Sequence, residues 1–153
     1  MKKGLALCSA LAVVFALGGG VSYAHKDATG IVKERMDLMS GIAKSMKSIA
    51  QMVKSGEVDA HAARAAGKRI AEHASEIASL FPEGSIEGDS EATPAIWENF
   101  EDFSKKASAL QAAAQSLADT PVDSIDRQAL AGELQNLGGA CKSCHETYRQ
   151  KKG

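Results

Sequence analysis

TPAIWENFEDFSKKASALQAAAQSL, Thr93 to Leu117, is the stretch that decides the fold. Ile96, Phe100, Phe103, Ala107, Leu110, Ala114 and Leu117 recur at alternating steps of four and three. Residues at those spacings share one face of an α-helix, so the segment predicts a single amphipathic helix with a continuous apolar stripe. Thr93 followed by Pro94 predicts where it starts. A hydroxyl residue suits the N-cap, and the fixed φ of proline suits the first helical position.

Three further helices read in the same way on either side. The first runs from about Thr29 to Lys54 with Ile31, Leu38, Ile42, Met46, Ile49 and Val53 on one face, and stops before Ser55-Gly56. The second runs from about Asp59 to Phe81, with Ala66, Ile70, His73, Ile77 and Leu80 as its stripe, and stops at Pro82. The last follows Pro121, takes Asp123 or Ser124 as its cap, and extends to about Lys151. Alanine is abundant, Val and Ile are sparse, and no period-two alternation supports a strand. Short connections favour antiparallel neighbours, so the expected fold class is all-α, an up-down-up-down four-helix bundle. The one long connection, Pro82 to Thr93, is rich in Gly, Ser and acid and reads as a solvated loop.

The N-terminus reads as a leader. Lys2 and Lys3 precede an apolar run from Leu5 to Leu17, and Ser22-Tyr23-Ala24 has the small-x-small form of a cleavage site. The expected division is therefore a signal peptide over 1–24, cut after about Ala24, and one domain over 25–153. Cys8 leaves with the leader. Losing Lys2 and Lys3 takes the formal charge from −1 to −3. No basic stripe argues for nucleic acid, and no other stretch is long enough to insert in a membrane. The chain reads as exported and periplasmic.

Export sharpens the chemistry of GGACKSCHETYRQKK, Gly138 to Lys152. Cys141, Cys144 and His145 form C-x-x-C-H, and the two cysteines are the only ones left after cleavage. A structural zinc site needs a second pair of ligands, which the chain lacks, and a redox dithiol expects a βαβ context. The third chemistry is covalent haem. Two thiols add across two vinyl groups as thioethers, and the next residue's imidazole reaches the iron. On a helix of about 100° per residue, Leu130, Leu134, Leu137, Cys141 and Tyr148 form one stripe, and Cys144 and His145 straddle it. Gly138 and Gly139, costly within a helix, read as clearance for a large group.

The residue opposite His145 follows from helix levels. In an antiparallel bundle the end of the last helix lies beside the first third of the first helix. His145 and Met39 are then level, and Met39 is the expected second axial ligand. Met46 lies about 10 Å further along and reads as core. Met36 points off the stripe, and Met52 is at the wrong level. His73, on the second helix's stripe, is the rival. His25 and His61 read as solvated.

The C-terminal CKSCHETYR, the VKERMDLM of Val32 to Met39, and the IWENF of Ile96 to Phe100 resemble class II c-type cytochromes. These are the cytochrome c′ proteins and their low-spin, methionine-ligated relatives, and cytochrome c′ is itself a standard example of the up-down-up-down bundle. The resemblance covers essentially the whole chain after the leader. It implies one covalent haem c held by Cys141 and Cys144, with His145 as proximal ligand and Met39 at the distal position. It also implies that Arg35 and Arg149 lie near the haem, and Trp97 is a candidate contact. A methionine at the distal position implies a six-coordinate iron and transfer of single electrons between periplasmic donor and acceptor proteins, as a monomer or a homodimer. A non-ligating residue there would instead leave a five-coordinate, NO- or CO-binding haem. No nucleophile–base pair appears, so no enzyme is expected.

Overall fold

A computed structural model describes residues 29–150 apart from 87 and 89. The expected leader, its cleavage after Ala24, and His25 lie outside the described residues. Helix α1 spans Gly30–Ser55, α2 Ala60–Glu76, α3 Ala95–Glu98, α4 Phe100–Asp119 and α5 Arg127–Tyr148. No strand occurs among the described residues; one isolated bridge joins Ala92 to Arg149.

Four long helices form the expected all-α bundle. In order around it come α1, α2, α4 and α5, and α5 closes back onto α1. Contacts between opposite ends make neighbours antiparallel. Arg127 at the start of α5 donates from Nε to the Val53 carbonyl near the end of α1 at 2.8 Å, and Arg64 early in α2 donates to the Ala118 carbonyl late in α4 at 2.8 Å. The core is Ile49, Ile70, Ile96, Leu117, Leu130 and Leu137, all fully buried, with Ala63, Ala66 and Ala114 between them.

Local chemistry sets the boundaries. Gly56 takes a left-handed φ of 80° and ends α1, where its N–H reaches the Met52 carbonyl at 3.0 Å. Asp59 caps α2 through the Ala62 N–H at 2.9 Å. The second helix ends earlier than the sequence suggests. It tightens into a 3-10 turn over Ala78–Leu80 ahead of Phe81-Pro82.

Three expectations at helix starts need correction. Thr93 does not cap α3: Pro94 takes the N-cap position, the helix begins at Ala95, and the Thr93 hydroxyl is buried without a partner. Thr93 to Leu117 is not one helix. It breaks at Asn99 (φ −141°, ψ 58°), whose side chain accepts from the Asp102 N–H at 3.4 Å and begins α4 afresh. Asn followed by Glu101 and Asp102 is a strong helix start, because its side chain caps the orphan donors and the acids complement the dipole. The break also turns Phe100 off the stripe, and its residue is 41% exposed. The cap of α5 is Asp126, accepting from the Ala129 N–H at 2.8 Å, rather than Asp123 or Ser124, which form a 3-10 turn.

Helices α2 and α4 meet at backbone range over Gly67. A Cβ there would stand 2.9 Å from the Ala114 carbonyl oxygen and 3.0 Å from the Ala118 nitrogen. Backbone cannot swing aside, so Gly67→Ala should destabilise the bundle by about 1–3 kcal/mol in denaturant unfolding. A midpoint unchanged from the parent protein would show that the helices separate freely at this point.

Candidate haem site

The bundle leaves a cavity of about 650 Å³ between α1, α4, α5 and the segment before α3. That is within the range of small-molecule and cofactor sites. Helix α5 supplies Cys141, Cys144, His145 and Tyr148 to its wall, and α1 supplies Arg35, Met36, Met39 and Met46. Residues separated by about a hundred positions in sequence thus share one chamber, and Met39 and His145 are both on its wall.

Both cysteines are free and half-buried. Burial pushes both thiols above the ordinary cysteine range. A redox dithiol works through a depressed thiol pKa, which this pair lacks. No group of three His, Cys, Asp or Glu side chains that could hold a bare metal ion occurs among the described residues. At His145 the ring's partial burial lowers its pKa, Arg149 lowers it further, and Glu91 opposes them. The neutral imidazole so favoured is the form that binds a metal.

Arg35 is the one charged residue in the buried core among the described residues, only 4% exposed. Its Nε donates to the Ile31 carbonyl at 3.4 Å, one terminal nitrogen donates to the Ser85 carbonyl, and its guanidinium carbon lies 4.5 Å from the centre of the Phe81 ring. The other terminal nitrogen, Nη1, is buried without a partner. A buried cation with an unused donor on an apolar cavity calls for an anionic ligand group. The thiol pair, the neutral imidazole and this orphan donor together fit a haem with its propionates.

The long connection is more than a solvated loop. Ser90, Glu91 and Ala92 line the cavity, and the chain there pairs with the end of α5. Thr93 N–H donates to the Tyr148 carbonyl at 3.0 Å, and Gln150 N–H to the Glu91 carbonyl at 2.7 Å. Arg149 leaves the helix as its C-cap and donates from Nε to the Glu91 carboxylate at 2.6 Å. No local sequence signal announces that pairing across 58 residues.

Other expected positions fall differently. Trp97 does not line the cavity; its Nε1 donates to the Phe81 carbonyl at 3.0 Å, and the ring borders a second, shallow cavity. His73 is also off the wall. Its ring lies on Gly41 of α1, where a Cβ would meet Nε2 at 2.6 Å, so the rival ligand is committed to helix packing. Met46, expected in the core, is on the wall with Met36. Gly138 and Gly139 are not, so the site gives their clearance reading no support. Met46 was findable, since it lies two helical turns beyond Met39 on the same stripe.

Tyr148 closes the floor. Its hydroxyl donates to Asp102 Oδ2 at 2.7 Å, and burial with that carboxylate pushes the phenol from 10.0 up to about 12. A raised folded pKa stabilises below the unfolded value, and that stabilisation is lost as pH rises through the folded one. Stability should therefore fall between about pH 10 and pH 12. Tyr148→Phe should remove this phenol's share of the loss, read as a shallower alkaline unfolding curve; an unaltered slope would assign the loss elsewhere.

An antiparallel helical bundle with C-x-x-C-H facing a cavity beside a buried arginine defines a class: haem-holding four-helix proteins. The comparisons carry this to a family. Residues 30–149 match the family described as Cytochrome C′, and the chain belongs to that family. Cytochrome c-556 of Agrobacterium tumefaciens (strain II Chrys) is 42% identical over 125 residues, covering 80% of this chain and 99% of that protein. Cytochrome c′ from Rhodopseudomonas palustris shares the fold with a TM-score of 0.75 at 30% identity, covering 82% of this chain and all of that one. The nitric oxide complex of a mutant cytochrome c prime from Alcaligenes xylosoxidans matches with a TM-score of 0.69 at 26% identity, covering 79% of this chain and 94% of that one. As a member of this family the chain carries one covalently bound haem c.

Proposed function

We propose that Cys141 and Cys144 hold the haem, that His145 and Met39 take its two axial positions, and that the protein carries single electrons between exported donor and acceptor proteins. The observation that supports this reading is Met39. It is a half-buried thioether on the wall shared with His145, one helical turn beyond the buried Arg35. A haem with both axial positions filled supplies reversible one-electron chemistry with little rearrangement. Around it, the unused N–H of Arg35 would serve a propionate, Glu91 holds the Arg149 guanidinium beside His145, and the methionines would exclude water. No enzymatic step belongs to this role.

The comparisons by themselves support a second reading better. The matched family and both similar structures are cytochrome c′, and one of those structures is a nitric oxide complex. In that reading Met39 fills space without bonding, the iron is five-coordinate, and the protein binds NO or CO. The visible spectrum of the purified holoprotein separates the two. A low-spin ferric spectrum with a weak thioether band supports electron transfer. A high-spin spectrum that shifts on adding CO would establish the second reading in its place.

A periplasmic location belongs to the same proposal and rests on the leader at 1–24. Among the described residues no helix is long and apolar enough to cross a membrane. N-terminal sequencing of the exported protein should begin at His25, and retention of Met1 to Ala24 would remove the signal-peptide reading. The family resemblance supports a monomer or a homodimer.

A further inference from the structure

The break at Asn99 leaves Phe100 as the one exposed large apolar side chain among the described residues. It borders the shallow second cavity with Trp97, Phe81 and Pro82. This patch is continuous with the haem cavity. The Phe100 ring lies 5.9 Å from Phe103, and Phe103 lies 4.9 Å from Phe81 and 5.3 Å from Tyr148. Phe81, Phe103 and Tyr148 all line the haem cavity, and Phe81 lines both cavities. A chain of touching aromatic rings therefore leads from the surface to the site.

The stretch of chain that carries Pro82, Trp97 and Phe100 has one sign of charge; the nearest cations, Arg35 over the Phe81 ring and Lys106 beside Asp102, are respectively buried and paired. From Pro82 to Asp102 the sequence has seven acidic residues and no Lys or Arg. Glu83 lines the shallow cavity, and Glu98 and Glu101 are exposed beside Trp97 and Phe100. None of these three forms an ion pair with a described residue. An apolar centre within a charged rim is the anatomy of a transient protein interface, in which the rim steers the encounter.

From this we infer that the face formed by Phe81, Pro82, Trp97 and Phe100 docks a redox protein presenting lysines around an apolar spot, and that electrons cross to the haem beside Phe81 and Phe103. The inference rests on the electron-transfer reading. It commits to a basic partner because Glu83, Glu98 and Glu101 repel an acidic one, and because no cation from this stretch of chain offsets them.

Stopped-flow electron exchange of the holoprotein tests it with two probes: a lysine-rich mitochondrial cytochrome c and the small complex hexaammineruthenium. Phe100→Ser should slow exchange with the cytochrome by about tenfold and leave both the reduction potential and exchange with hexaammineruthenium unchanged. Glu83→Lys with Glu98→Lys should slow the cytochrome reaction further and flatten its dependence on ionic strength. Lys68→Glu, on the outer face of α2, should change neither rate. If both patch variants exchange with the cytochrome at the parent rate, the docking site is overturned while electron transfer stands. If the parent holoprotein exchanges with neither probe, the electron-transfer reading fails and the docking role falls with it.

Discussion

Replacing Cys141 and Cys144 together by serine should abolish covalent haem. Acidified butanone should then extract the pigment completely, and a denaturing gel stained for haem should show no band, whereas the parent keeps its colour in both. The reason lies in the wall of the cavity. Both thiols are free, half-buried and on the same side of α5 as the chamber, so each can form a thioether to a macrocycle inside it. Serine cannot make that bond. Each single replacement should leave one thioether and so retain the stain, with a shifted absorption maximum. Haem that stays bound through denaturation in the double variant would remove the attachment assigned here to Cys141 and Cys144.

Met39→Ala should turn a low-spin ferric haem protein into a high-spin one, and its ferrous form should bind CO where the parent does not. Loss of the thioether should also lower the reduction potential, since His/Met ligation raises it. The cavity makes the prediction specific. Met36 and Met46 are also on the wall, so a Met39→Ala protein that keeps the low-spin spectrum would shift the ligand to one of these two. His73 is excluded from that substitution by its packing on Gly41. A parent protein that is already high-spin would make Met39→Ala spectroscopically silent, and the NO- or CO-binding reading would then hold.

Much of the bundle is legible because its determinants are local. Helix α1 runs within a residue of its expected bounds, since Gly56 can adopt the left-handed turn that ends it. The Asn99 break is local too, but Pro94 and an unbroken apolar spacing outweigh it in a periodicity reading. The consequence is not local: a short helix, a restarted one, and Phe100 turned outward. Trp97 shows the same limit. Its place outside the haem cavity depends on where Phe81 arrives from the end of α2, and periodicity within α3 carries no trace of it.

By itself the sequence determined the helical class, the antiparallel order and the C-x-x-C-H chemistry, because each follows from spacings along single helices and short loops. Only the tertiary structure decided which methionines share the chamber, that Arg35 is buried with a spare donor, that His73 is spent on Gly41, and that Glu91 holds Arg149. Those outcomes depend on side chains from distant segments meeting at distances of a few ångströms. Helix period and residue type give the direction of a side chain, and the packing of four helices and the long connection between Pro82 and Thr93 gives its neighbour.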